Sequence, residues 1–235
     1  MSHRLRPARV LSRRPLSARV SELVLEVPGE PPFRWHAGQH LAIHPQGGVP
    51  THDGPLWYSI ASAWDGREPA VLSLAIGPGT GADVLANVGP GAELSVAGPF
   101  GTFALSAAPG ALLVGAGTGI APLHAFVEES LGRGDTFPLV LVVGARTEDD
   151  LLWHAALTAL TARHSRLSYE PVLSQPSATW NGRRGYVQDH LREFAPQLPA
   201  GFIVRACGSV TMVESSLRAL AELGVGTDRV VAESY

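Results

Sequence analysis

Lysine is absent from the chain: all 18 basic side chains among its 235 residues are arginine. With the excess of alanine, glycine and proline, this reads as the bias of a GC-rich coding sequence and carries no functional meaning. Cysteine is almost absent too, with Cys207 standing alone. A plant-type iron-sulfur centre needs four thiolates and a structural zinc site several, so neither fits this chain, and a disulfide lacks its second partner. A lone thiol is the usage of a reducing compartment, so the expected location is the cytoplasm. Long apolar runs are missing as well: no uninterrupted apolar stretch is long enough to read as a membrane span. The net charge is −3 and only 17% of residues are charged, so no field of one sign points to nucleic acid.

What charge asymmetry exists lies at the front, where residues 1–34 carry seven arginines against Glu22, Glu26 and Glu30. An arginine-rich, serine-containing start resembles an organelle transit peptide. The strand-like stretch from Ala8 to Val27, with Val10, Leu16, Val20, Leu23, Leu25 and Val27 apolar, argues instead for a folded segment. These arginines either steer an acidic partner or are simply solvated on strands.

A hydrophobic content of 45% over 235 residues suits two modest domains, and the local patterns divide the same way. Up to about residue 105 short apolar segments ("ELVLEV", "QHLAIH", "WYSIAS", "AVLSLAI", "ELSVAG") alternate with Pro/Gly clusters, which predicts a small antiparallel β-barrel. From residue 110 the pattern becomes strand then helix: "ALLVGAG", a helix from Pro122 to Leu131, "PLVLVVGAR", a helix from Asp149 to Ala162. Further strands fall at "LSYEPVL" and "FIVRACG", with a last helix from Val213 to Leu223. That alternation predicts a parallel α/β sheet. "LSAAPG", residues 105–110, reads as the linker, giving domains 1–106 and 107–235.

"LLVGAGTGIAP" places Gly115, Gly117 and Gly119 between an apolar strand and a helix. Glycines there let backbone approach a pyrophosphate, and the helix N-terminus offers oriented N–H groups. "RACGSVTMV" repeats the arrangement at a later strand end, so both turns face one crevice. Arg146 follows another strand and meets either a dinucleotide phosphate or ribose, or Glu148 and Asp149 beside it. Asp149 and Asp150 read as helix N-terminal carboxylates. His36, His40 and His44 recur every four residues, but on a strand that spacing sets neighbours about 13 Å apart, so no metal site is expected.

In order, "GQH", "WYSIAS", "GPFGTF", "GAGTGIAP", "GARTEDDLLW", "CGSVTM" and "ESY" resemble the ferredoxin reductase superfamily, two-domain flavoproteins that join a flavin-binding barrel to a pyridine-nucleotide domain. The resemblance covers nearly the whole chain. It implies that Tyr58 lies against the flavin ring, that Ser59 hydrogen-bonds near its reactive nitrogen, and that Trp57, Ala75 and Ile76 border the same site. By the same resemblance Gly77, Gly79, Thr80 and Gly81, within "IGPGTGADVL", hold the flavin phosphates. Gly115, Gly117, Thr118, Gly119 and Pro122 would form the dinucleotide turn, with Arg146, Ser174 and Met212 along the nucleotide. Cys207 and Gly208 stand near the nicotinamide, and Glu233 and Tyr235 close the flavin's other face. Ser59, Cys207 and Glu233 are the residues expected around the transfer itself.

The family pattern carries an arginine two residues before that tyrosine; this chain has Leu56. A charge-assisted hydrogen bond contributes roughly 1.5–3 kcal/mol, so its loss weakens flavin binding by about one to two orders of magnitude. His52 lies close enough in sequence to approach a phosphate instead. Gln175 follows Ser174 where relatives that prefer NADPH tend to carry arginine, which favours NADH.

The resemblance therefore implies an NAD(P)H-dependent reductase with FAD (FMN as the alternative), passing electrons to a separate ferredoxin, oxygenase component or small molecule. The competing reading is a flavin-deficient relative, marked by Leu56, that serves as a nucleotide-binding or assembly subunit or uses a repurposed site.

Overall fold

The computed structural model describes residues 5–45, 54–79, 84, 85 and 87–235. His52, Thr80 and Gly81 lie outside the described residues.

The first sheet contains β1 (Arg6–Pro15), β2 (Ser21–Val27), β3 (His40–Pro45), β4 (Leu56–Ser59), β5 (Ala70–Ile76) and β6 (Glu93–Phe100). Its order is β4-β3-β6-β1-β2-β5, antiparallel throughout. An antiparallel bridge from Ile60 to Leu74 brings the two edge strands together, so the sheet closes as a barrel. Strand alternation turns Val10, Leu23, Leu25, Leu41, Ile43, Leu72, Leu74 and Val96 into one core.

The second sheet contains β7 (Ala111–Ala116), β8 (Leu139–Ala145), β9 (Leu167–Leu173), β10 (Arg183–Arg184), β11 (Ile203–Gly208) and β12 (Val230–Ser234). All are parallel, in the order β10-β9-β8-β7-β11-β12. Four helices accompany it: α1 (Ile120–Gly132), α2 (His154–Arg163), α3 (Val187–Phe194) and α4 (Val210–Glu222). Strands with near-continuous apolar sequence are buried on both faces. Leu113, Leu123, Phe126, Leu141 and Leu157 pack on one face, and Val114, Val142, Leu191, Phe194 and Leu220 on the other. The chain reverses its direction of strand addition at β7, so the carboxyl ends of β7 and β11 flank the ligand crevice of such a sheet.

Three details differ from the sequence expectation. No helix begins at Asp149: Glu148–Asp150 is a single 3₁₀ turn closed by a Thr147/Asp150 capping box, and α2 starts at His154 after Trp153 at φ 52. Leu151, Leu152 and Trp153 are all buried, and the extended Leu151 and left-handed Trp153 backbone keep a helix from running through them. The last helix opens three residues early, at Val210, because the Ser209 hydroxyl accepts the Met212 N–H. Neither α3 nor β12 was anticipated, although Val187, Leu191 and Phe194 fall on one helical face.

Residues 101–110, between β6 and β7, form neither strand nor helix. Arg205, buried on β11, donates to the Ala104 carbonyl at 2.7 Å and to Ser106 Oγ at 3.3 Å, which fixes this connection against the second sheet. No helix among the described residues is long and apolar enough to cross a membrane.

Candidate active site between the barrel and the parallel sheet

Two cavities meet at the seam between the sheets and share Pro78, Thr118 and Tyr235. One, of about 630 Å³, is lined by Trp57, Tyr58, Ser59, Ala75, Gly77 and Gly79 from the barrel. Facing them are Thr118, Gly119, Cys207, Glu233 and Tyr235. The other, of about 620 Å³, runs over the carboxyl ends of the parallel strands past Gly117, Thr118, Arg146, Ser174, Met212 and Tyr235. Both volumes fall within the range of about 300–1,000 Å³ usual for small-molecule sites.

Local sequence explains the shape of the first cavity. On β4 the side chains alternate, so Leu56, Tyr58 and Ile60 face the barrel interior while Trp57 and Ser59 face outward. Trp57 is 55% exposed and is held edge-on by His40 and Phe100, at centroid distances of 5.4 and 5.3 Å. Burial lowers the His40 pKa, so the ring stands beside the cavity as a neutral imidazole. At Gly77 a Cβ would come within 2.7 Å of Thr118 Cγ2, so the glycine allows the barrel to approach the glycine-rich turn at Gly117–Gly119.

On the opposite wall β11 and β12 set Cys207 directly beside Glu233. Burial, then the neighbouring carboxylate, push the Cys207 thiol up to about 12, so it is a neutral thiol at physiological pH rather than a nucleophile. Burial also raises the Glu233 carboxyl. The pair puts a small neutral thiol beside a half-buried carboxyl group on this wall of the cavity. The folded protein keeps the Cys207 proton that the unfolded chain releases, so this group's contribution to stability falls as pH climbs from about 9 toward 12.

The glycine-rich turn at Gly117–Gly119 is built by close packing. Gly117 takes φ 57, in the left-handed region that favours glycine. A Cβ on Gly119 would overlap the backbone carbonyl of Cys207, so only glycine lets α1 start against β11. The Gly119 N–H donates to the Tyr235 hydroxyl at 2.7 Å, and that hydroxyl donates to the Ala116 carbonyl at 3.0 Å.

Polar bonds from α1 lock this wall to the barrel. His124 donates to the Ala61 carbonyl at 2.8 Å and stacks on Trp153 at 4.6 Å. Glu128 and Glu129 accept the backbone N–H groups of Ala63 and Ala37 at 2.9 and 2.8 Å. Trp153 donates in turn to Glu22 at 3.0 Å, and Glu22 also pairs with Arg14. The helix that opens at the glycine-rich turn thus holds the strand end just beyond Tyr58 and Ser59.

Several expected site residues fall elsewhere. Leu56 lines neither cavity; it is 6% exposed and packed in the barrel core. Ile76 is core as well, and Pro122 lies in the buried face of α1. Gly208 lines neither cavity and packs against Met212. Arg146 does not pair with Glu148 or Asp149; it donates to Gln175 Oε1 at 3.2 Å. Most front arginines bond within the chain: Arg6 to the Pro31 carbonyl, Arg9 to Glu26, Arg13 to the Leu85 and Val88 carbonyls, Arg14 to Glu22. Sequence reading missed Arg19 and Ser17, which reach the second cavity from the β1–β2 turn, and Tyr186 and Gln188 at the start of α3. Only the unassigned amphipathic spacing of α3 would have found the latter pair.

Comparison with known proteins agrees with this architecture. Residues 113–217 match the Oxidoreductase NAD-binding domain family. The chain is 38% identical to "Ferredoxin--NADP reductase B" of Sorangium cellulosum over 97% of its own length and 96% of that protein's. It is 29% identical to the ferredoxin--NAD(P)(+) reductase component of the Pseudomonas putida naphthalene 1,2-dioxygenase system, covering 87% of this chain and 61% of that longer protein. Among solved structures, the Amycolatopsis cytochrome P450 reductase GcoB superposes with a TM-score of 0.83 at 25% identity, over 100% of this chain and 71% of that one. The chain belongs to the ferredoxin reductase superfamily of two-domain oxidoreductases.

Proposed function

We propose that the protein is an NAD(P)H-dependent flavoprotein reductase, with barrel residues 1–106 holding the flavin and residues 107–235 the dinucleotide. The observation that carries this reading is the junction of two ligand-sized cavities at Thr118 and Tyr235, one under an aromatic and hydroxyl pair, the other over a glycine-rich helix start. The residues fit the groups. The first cavity, of about 630 Å³, leaves room for a planar ring between the sheets, and the left-handed Gly117, with Gly119 packing the helix start against β11, shapes a turn that can receive a pyrophosphate. A bound flavin supplies hydride acceptance and onward electron release.

The chain's own part is positioning. Tyr58 offers a ring face, and Ser59 a hydroxyl able to donate or accept. Cys207 and Glu233 present a small wall on the nicotinamide side. The bonds of His124, Glu128 and Glu129 keep the barrel and the dinucleotide turn in register. FAD is the preferred flavin, and electrons leave to a separate ferredoxin, oxygenase component or small molecule, as the names of the relatives suggest. Steady-state NADH oxidation with ferricyanide tests the assignment: turnover that depends on flavin supports it, and none at saturating FAD or FMN rejects it.

NADH is favoured over NADPH because the Gln175 amide, bonded to Arg146, brings no countercharge of its own to a 2′-phosphate. Gln175→Arg is expected to raise kcat/KM for NADPH relative to NADH by about tenfold, the worth of one charge-assisted hydrogen bond. An unchanged ratio in paired assays would mean that position 175 does not face the adenosine ribose.

A further inference from the structure

The dinucleotide turn is short of charge. It carries no basic side chain, and the Gly119 N–H is already taken by the Tyr235 hydroxyl. A pyrophosphate seated on it needs a cation from elsewhere. Among the described residues two arginines line the second cavity, Arg19 and Arg146. Arg146 is engaged by Gln175 beside Ser174. Asp150, the cavity's carboxylate, bonds Thr147. Arg19 is exposed, and its guanidinium bonds no described residue.

Position and rigidity both favour Arg19. It sits on the turn between β1 and β2, where the Ser17 hydroxyl accepts the N–H groups of Arg19 and Val20 at 3.2 and 3.1 Å. Backbone bonds from Leu16 and Ser17 to the Val20 carbonyl, at 2.8 and 3.1 Å, close the same turn. Val20 is buried in the core cluster that contains Ile120, Ala121 and Leu152, so the turn is anchored to the nucleotide half. A Cβ on Gly77 would sit 3.6 Å from Val20 Cγ2 and 2.7 Å from Thr118 Cγ2, so this turn and the glycine-rich helix start are immediate neighbours.

We infer that Arg19, carried by the barrel, supplies the cationic contact for the pyrophosphate of the dinucleotide and completes across the seam the site that the glycine turn begins. The inference rests on the proposed function. It gives the barrel a direct share in dinucleotide affinity, and it makes that affinity depend on the barrel being docked. A single guanidinium near two phosphate groups also predicts weaker binding at higher salt.

Calorimetric titration with ADP-ribose, which carries the pyrophosphate and no nicotinamide, tests it on the wild-type protein, Arg19→Gln and Arg19→Lys, with melting temperatures as the folding control. Arg19→Gln is expected to weaken ADP-ribose binding about tenfold or more, to flatten its salt dependence, and to raise KM for NADH and NADPH by the same factor. Arg19→Lys keeps the charge and is expected to recover most of the affinity. Equal affinity of wild type and Arg19→Gln for ADP-ribose overturns the inference while leaving the reductase assignment intact. A loss confined to NADPH also overturns it, since Arg19 would then serve the 2′-phosphate. A wild-type protein that binds no ADP-ribose overturns both readings.

Discussion

Replacing Gly119 by alanine is expected to reduce dinucleotide affinity by at least tenfold and to lower the melting temperature by roughly 5 °C. The added methyl would overlap the Cys207 carbonyl and crowd the Gly208 Cα, both backbone atoms of β11 that cannot swing aside as a side-chain tip can. Either α1 lifts from the sheet or the turn distorts, and each moves the N–H groups on which a pyrophosphate would rest. Gly117→Ala provides the comparison. Its new methyl meets the Tyr235 hydroxyl at 3.4 Å, and the main cost is the left-handed φ of 57, about 1 kcal/mol. Calorimetry with ADP-ribose and thermal melts of both variants check the pair. A Gly119→Ala protein with wild-type affinity and stability would contradict the packing described for this turn.

Leu56→Arg is expected to act in opposite directions on the protein and on its ligand. Without flavin, the variant places a guanidinium at a position 6% exposed in the barrel core, costing about 3 kcal/mol and lowering the melting temperature by roughly 10 °C. With flavin, an arginine that reaches the phosphates gains a charge-assisted hydrogen bond, tightening FAD by about tenfold. Saturating FAD would then restore much of the lost stability, because a ligand that binds only the folded state stabilises it in proportion to ln(1 + [L]/Kd). Melting curves with and without FAD, together with a direct FAD titration, separate the two effects. Destabilisation with no gain in affinity would show that position 56 serves only the barrel core.

Leu56 also shows where sequence reading reaches its limit. The ordered motifs gave the family, the barrel followed by parallel sheet, and the glycine turn, because period-two and strand-helix patterns report backbone geometry directly. They also gave the meeting of Tyr58 and Ser59 with Cys207, Glu233 and Tyr235 around one cavity. What stayed hidden depends on which way a side chain turns. Leu56 and Tyr58 share a strand face, yet one is core and the other borders the cavity. Arg19 looked like one more arginine of a basic front. Its neighbours bond to the barrel, and only the fold of the β1–β2 turn reveals that this one lines the cavity over the parallel strands. The break at Leu151–Trp153 was equally hidden, since three apolar residues before a helical run read as its first turn, and the left-handed backbone of Trp153 leaves no mark in the sequence.

The central claim is that the two cavities hold a flavin and a nicotinamide dinucleotide in contact. An anaerobic absorption titration tests it most directly: purified protein, first with added FAD or FMN, then with NADH. The account predicts flavin bands that shift on binding and bleach on addition of NADH. Saturating flavin that leaves the spectrum as a simple sum of protein and free flavin, with no bleaching by NADH, would contradict it.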